Sequence, residues 1–316
     1  MHIIISDKFD QPTNQTLKWF NYHEKDVIVI DKSSFISVDF RNGFDCPVLL
    51  LEDYNLSITS IESVWFRRGR FRLNYDYLDR LDEEAIKKFH NQTHYIIETY
   101  FNSLIFSKIK CLGNPFKISV NKLEVLLLAK EIGLKIPETM LTDKINDVDC
   151  FFKDKPAITK LLVNMNNFST DKQKINYFTF NYDRELLAEE ELSISLFQEK
   201  IIKKYEIRAF YLNNKVYSKA IFSQIDDKTK DDYRNYNLDK PNRETRFALP
   251  KDIETKIKKL MYRLDLNTGS IDLIVDENND YIFLEVNPVG QFFDLSYNCN
   301  YKLDKIIYDY LVDYEK

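Results

Sequence analysis

A chain of 316 residues, 44% of them hydrophobic and 14% aromatic, is long enough for two or three globular units with a core each, and excludes a disordered protein. Its 6 Gly and 8 Pro exclude a fibrous or Pro/Gly-rich chain. The 45 Lys and Arg stand against 50 Asp and Glu, a formal net charge of -5, so the balance gives no reason to expect nucleic acid as a partner.

The longest apolar runs, such as Val125 to Ala129, fall far short of the roughly 20 residues of a membrane-spanning helix, and no membrane partner is expected. Met1 leads into a strand-like run with no basic leader, which makes the cytoplasm the expected location. Cys46, Cys111, Cys150 and Cys299 match neither a zinc pattern nor a disulfide framework, and read as reduced thiols, three or more of them buried.

In chain order, Ile3–Ile5, Val27–Ile30, Val48–Leu51 and Val64–Phe66 read as short buried strands, and Leu78 to Phe106 carries helical spacing. These make an α/β unit over 1–112. Gly113-Asn114-Pro115 is a turn, after which Asn121 and Glu124 have capping-box spacing for a helix that Gly133 stops. A second unit begins near 113. Strand candidates follow at Ala157–Leu162, Tyr177–Phe180, Ser195–Glu199, Ile207–Leu212 and Val216–Phe222, the last two a hairpin around Asn213-Asn214. Pro250 opens a helix to about Leu264, and a last helix covers about Asp304 to Val312. From about residue 156 onward the pattern is thus β-rich. Asp226 to Arg234 is strongly charged and reads as a mobile lid.

The chemistry lies in a second hairpin. Residues 269–276 and 281–288 flank Glu277-Asn278-Asn279-Asp280, a turn signal. A turn centred on Asn278-Asn279 makes Asp272 face Glu285, Ile274 face Phe283 and Ser270 face Asn287. Asp272, Glu285 and Asn287 then share one face, while Ile271, Leu273, Val275, Ile282, Leu284 and Val286 form the core face. Facing carboxylates repel across a strand pair. A hard cation relieves that repulsion, and two carboxylates with an amide oxygen suit Mg²⁺ beside nucleotide phosphates.

At GSIDLIV and YIFLEVNPVGQ the chain resembles the metal-binding hairpin of ATP-grasp ligases. With VWFRRG at 64–69, NKLEVLLLAKEIGLKIPET at 121–139 and FLEVNPVGQF at 283–292, it is similar to the ATP-grasp maturases of ribosomal peptides, the microviridin, graspetide and grasp-with-spasm type. The resemblance implies an α/β (α+β) ATP-grasp fold: a pre-ATP-grasp N-terminal domain (1–112), a central subdomain (113–192) and a C-terminal subdomain (193–316). It implies ATP and Mg²⁺ as cofactors, with Asp272, Glu285 and Asn287 as metal ligands and Lys122 and Lys160 on nucleotide phosphates. Gln198, Glu199 and Ile201 would meet adenine, and Glu206 the ribose. Arg208 would face the phosphates and the transferred acyl group, and Arg234, in an Asp-Tyr-Arg motif, would lie over the phosphates. A basic residue of the S6-type ligases falls near Phe222 or Ser223 here, so its role passes to Lys219, Arg234 or Arg246.

The implied reaction phosphorylates Asp/Glu carboxylates of a ribosomal precursor peptide, with a leader and an acidic, hydroxyl-rich core, and closes them onto Ser/Thr hydroxyls or Lys amines. The resemblance also allows a homodimer. Two other readings stand beside it: an amino-acid ligase of the glutathione synthetase or ribosomal S6 type, and a non-catalytic peptide-binding module. Arg67, Arg68, Arg70 and Arg72 read either as a patch for an acidic precursor, with Arg67 and Arg68 as substrate residues, or as a solvated strand end. His90 and His94 lack a third metal ligand and read as packing; Leu126, Leu127, Ala129 and Ile132 read as a core stripe.

Overall fold

The computed structural model describes the chain except residues 52–54, 75–82, 154, 161, 163–166, 170–173, 177–179, 184–190, 225–240 and 314–316. The Asp-Tyr-Arg motif with Arg234, the expected lid and the start of the helix expected from Leu78 lie outside the described residues. Two compact units emerge: unit 1 comprises Met1–Ile118, Asp265–Gly269 and Pro288–Lys316, and unit 2 comprises Ser119–Leu264 and Ser270–Asn287.

Unit 1 opens with β1 (His2–Ser6), α1 (Gln11–Tyr22), β2 (Val27–Asp31), β3 (Phe35–Asp39), β4 (Val48–Leu50), β5 (Asn55–Ser57), β6 (Ser63–Phe66), β7 (Arg72–Leu73), α2 (Glu84–Lys108) and β8 (Lys110–Leu112). Its main sheet has the order β2-β1-β6-β8, all parallel. Parallel strands covered on both faces read as continuous apolar runs, which is why Ile3–Ile5 and Val64–Phe66 were legible. Ile3, Ile5, Val64 and Phe66 join Phe101 and Ile105 of α2 in one buried cluster. Asp10 caps α1, accepting from Thr13 N at 3.1 Å.

Unit 2 runs α3 (Lys122–Ile132), β9 (Thr139–Lys144), α4 (Ile145–Phe152), β10 (Ala157–Lys160), β11 (Asn167–Ser169), β12 (Lys174–Asn176), β13 (Phe180–Asn181), β14 (Glu191–Glu199), β15 (Lys203–Leu212), β16 (Lys215–Phe222), β17 (Arg243–Phe247), α5 (Lys251–Arg263), β18 (Thr268–Asp276) and β19 (Tyr281–Asn287). One sheet has the order β13-β10-β14-β9, a second β17-β16-β15-β18-β19. Asn121 caps α3 through Leu123 N at 2.9 Å, and Gly133 ends it at φ +86°, where a side chain would be strained. Asn213 and Asn214 both have positive φ, the conformation a two-residue hairpin turn requires. The chain then returns to unit 1 as α6 (Phe293–Asn298) and α7 (Leu303–Val312). Among the described residues no helix is long and apolar enough to cross a membrane.

Three expectations are corrected. Only Cys111 and Cys299 are buried, whereas Cys46 and Cys150 are exposed; burial pushes the Cys111 thiol up to about 12. Leu127 is 58% exposed and falls off the core stripe, since only Leu126 and Ala129 turn inward. The helix after Pro250 starts one residue later, with Pro250 just before its first turn. His90 and His94 stack with ring centroids 6.4 Å apart.

Candidate active site

The carboxylates on β18 and β19 come together as the hairpin predicts, but by a different route. Beyond the turn, Val275 pairs with Tyr281, Ile274 with Ile282 and Leu273 with Phe283; the register then slips, and Asp272 pairs with Glu285, Ile271 with Val286 and Ser270 with Asn287. Ile274 therefore does not face Phe283. The turn is looser than two residues: Asn279 N–H and Asp276 N–H close it on Asp276 O and Asp280 O, both at 3.1 Å. The bulge at Leu284 takes up the extra residue, so the expected facing is restored where it matters. It also turns Leu284 out of the core face and places Phe283 in the core instead, fully buried beside Leu273. Phe283 N–H, freed at the slip, donates to Lys135 O at 2.8 Å.

Leu284, Glu285 and Val286 line one cleft with Lys122, Val125 and Leu126 of α3, Lys160 of β10 and Leu196 and Gln198 of β14. Lys122 is the first residue of α3 and Lys160 the last of β10, so helix capping and strand end bring two half-buried ammonium groups to the same place. Val125, Leu196 and Leu284 give this cleft apolar walls, a role the sequence did not assign to them. Leu126, read as core, lines it too. Gln198 is buried and its Nε2 donates to Thr139 Oγ1 at 3.1 Å. Glu199 points at Lys155, 3.7 Å away, and Ile201 follows the strand half-buried.

On β15, Glu206 and Arg208 share a face, as their spacing requires. Arg208 Nη1 donates to Asp272 Oδ1 at 2.6 Å and Oδ2 at 2.5 Å. Glu206 is buried, paired with Lys203 and accepting from Ser223 Oγ at 2.9 Å. Burial raises its pKa, against the Lys203 charge and the bonds from Lys203 and Ser223; the nearby Asp272 charge adds to the rise. Lys203 and Ser223 are partners of Glu206 that the sequence did not signal. Lys219 Nζ reaches Glu244 Oε2 at 2.6 Å, and Arg246 is exposed. Asn287, last on β19, is exposed. Two carboxylates and an amide oxygen, all hard donors on adjacent strands, fit a divalent cation such as Mg²⁺.

The arginines after β6 are engaged within unit 1. Arg67 is 2% exposed: Nε donates to Asp10 Oδ2 at 3.0 Å, Nη1 to Val289 O and to Gly290 O at 3.1 Å, and Nη2 to Gln291 Oε1 at 3.2 Å. Its Cζ lies 5.9 and 5.6 Å from the ring centroids of Trp65 and Phe292, which stack on each other. Arg68 Nε donates to Asp10 Oδ1 at 2.7 Å, Arg70 pairs with Glu98 at 3.2 Å and Arg72 sits over Phe35. Arg67 thus departs from an accessible anion patch, because its donors are held by the backbone of its own unit.

No protein-family model matches the sequence, and no curated protein matches it. Solved structures do. A RiPP-associated ATP-grasp ligase of Chryseobacterium gregarium, solved with ADP and a leader and core peptide, is 25% identical at a TM-score of 0.79, over 98% of this chain and 96% of the other. The macrocyclase MdnC of Microcystis aeruginosa MRC, bound with the precursor peptide MdnA, is 25% identical at 0.74, over 99% of both chains. The macrocyclase MdnB of the same organism, 19% identical at 0.69 over 98% of both chains, shares the fold. Similarity that runs nearly the full length of both partners takes in the cleft and the carboxylate hairpin together: this chain has the ATP-grasp fold of these ligases.

Proposed function

We propose that this ligase is a peptide maturase that phosphorylates Asp or Glu side chains of a ribosomal precursor and joins them to Ser/Thr hydroxyls or Lys amines of the same peptide. One observation carries the reading: the similar Chryseobacterium gregarium ligase, matched over 98% of this chain, was solved with ADP, a leader and a core peptide. In this reading the partner is a precursor with a leader and an acidic, hydroxyl-rich core, and ATP is the phosphoryl donor.

Lys122 and Lys160 hold the nucleotide phosphates by charge. Leu196 and Leu284 wall the base, and the segment from Glu199 to Ile201 reads it by backbone, since the Gln198 side chain is engaged with Thr139. Asp272, Glu285 and Asn287 would hold Mg²⁺, which would supply charge neutralisation at the phosphoryl oxygens. A carboxylate oxygen of the peptide attacks the γ-phosphorus and ADP leaves; the hydroxyl or amine then attacks the acyl phosphate, gives up its proton, and phosphate leaves. Arg208 faces the transferred group, and Arg234 keeps the place over the phosphates that the resemblance implies. Glu206, enclosed by Lys203 and Ser223, fixes the strand that carries Arg208.

The test is the intact mass of the Ser/Thr/Asp/Glu-rich peptide encoded beside this gene, after incubation with the protein, ATP and Mg²⁺. Loss of one water per link, only with ATP, is the expected result. A mass gain that requires added free amino acids would replace this reading with the amino-acid ligase.

A further inference from the structure

Residues of α1, α6 and α7, all in unit 1, line an open hollow of about 350 Å³ that has no part in the chemistry above. Its floor is Phe292, 1% exposed. One wall is Phe293 with Tyr297, a helical turn apart on α6, whose rings stack with centroids 6.2 Å apart. Tyr297 is 78% exposed, so this ring stands at the mouth. The bend between α6 and α7 is tightly fixed: Tyr301 N–H donates to Ser296 O at 3.0 Å, and Asn300 and Lys302 both take left-handed φ, +51° and +55°. That bend sets Asp304, the second residue of α7, into the lining.

Asp304 is half-buried and held by neutral donors, Trp19 Nε1 at 2.7 Å and Ser296 Oγ at 3.3 Å, while Ser296 Oγ accepts from Leu303 N–H at 2.8 Å. These bonds aim the carboxylate and leave its charge uncompensated. Among the described residues no ion pair reaches it: Lys305 is bound to Asp309 at 2.7 and 2.9 Å and lies over the Trp19 ring, and Lys302 is exposed. A carboxylate drawn into an aromatic pocket is costly without a counter-charge. Ring faces also attract cations, and a long aliphatic stem packs on rings while its charged head stays with a polar partner. We propose that this pocket binds a lysine or arginine side chain of a peptide, with the cationic head on Asp304 and the stem against Phe293 and Tyr297. The maturase reading enters only as the source of that peptide. A neutral side chain would leave Asp304 uncompensated, and an acidic one would be repelled by it.

Two short peptides test this, acetyl-Gly-Gly-Lys-Gly-Gly-amide and the same peptide with Gln for Lys, each titrated into the whole protein. The reporter is the indole N–H NMR signal of Trp19, one of two tryptophans, identified by its loss in Trp19→Phe. The lysine peptide is expected to shift this signal saturably and to bind about tenfold more tightly than the Gln peptide, the size of one charge-assisted pair. Asp304→Asn keeps an acceptor for Trp19 and abolishes the preference. Tyr297→Ala, at an exposed position that leaves the unfolding midpoint unchanged, weakens the lysine peptide about threefold. No shift, equal affinities, a preference that survives Asp304→Asn, or full affinity in Tyr297→Ala overturns the assignment. The probes carry no Asp, Glu, Ser or Thr, so their failure leaves the maturase reading standing, and absence of water loss from the encoded peptide leaves the pocket standing.

Discussion

Each unit holds an Arg–Asp pair, and the two are built for opposite purposes. In unit 1 the side chains of Arg67 and Asp10 are each 1% exposed, and Arg67 also donates to two backbone carbonyls and an amide oxygen. In unit 2 those of Arg208 and Asp272 are 14% and 13% exposed, and Asp272 faces a second carboxylate. A buried charge whose every partner is protein is fixed in place, because removing any one strands the others in a low dielectric. A pair at the edge of solvent, beside a like charge, can exchange partners for a cation or a phosphate. The same two side chains are therefore locked into the fold in one unit and able to change partners in the other, and burial separates the two.

The comparison is broken most directly at Arg67. Arg67→Ala leaves Asp10 buried without its main partner and releases the 289–291 backbone, so we expect a loss of about 3–5 kcal/mol, read as a lower midpoint in urea unfolding. A loss within 0.5 kcal/mol would make the arginine dispensable to the fold. The next largest effect is expected from Glu285→Gln, which keeps the shape and removes a metal-ligand charge: ATP turnover falls on the order of 100-fold, with the unfolding midpoint within about 0.5 kcal/mol of wild type. Turnover that survives this change removes the metal assignment.

The smallest effect sharpens the comparison through pH. Burial alone would raise the Asp10 pKa, but the Arg67 charge and the hydrogen bonds from Arg68, Arg67 and Thr13 outweigh it and hold the carboxyl at about 2. The unfolded chain takes up this proton near pH 3.9, so the group's contribution, about 2 kcal/mol, is complete above that pH and lost as pH falls through 2. The stability gap between wild type and Asp10→Asn should therefore narrow by about that amount from pH 4 to pH 2. A constant gap would mean that Asp10 titrates as if it were exposed.

Much of this arrangement is written in local chemistry. Asn121 and Gly133 mark the ends of α3, Asn213-Asn214 marks a tight hairpin, and the spacing of Asp272, Glu285 and Asn287 anticipates a shared face. The bulge at Leu284 leaves no such mark: Ile282, Phe283 and Leu284 are all apolar, so a slip of one residue exchanges one hydrophobic group for another. Arg67 was misread because an arginine at a strand end is ordinarily solvated, and its carbonyl partners are 222 and 223 positions away. Strand β17 is missed because Arg243–Phe247 carries little apolar alternation and is held by pairing with β16. Lys122 and Lys160 rest on resemblance in the sequence, and only the fold brings them to one cleft.

Neither unit is one uninterrupted stretch of chain, and this sets the order in which a ribosome can complete them. Unit 2 ends at Asn287, whereas unit 1 needs 288–316. Arg67 emerges 222 residues before Val289, its first carbonyl partner; at about 5–20 residues per second this delay is on the order of 10–40 s. For that interval the parallel sheet of unit 1 has a guanidinium and no C-terminal backbone to receive it, while the carboxylate hairpin is finished earlier. A nascent chain stalled just after Asn287 would carry the finished carboxylate hairpin in unit 2 while unit 1 is still open to chaperones and proteases.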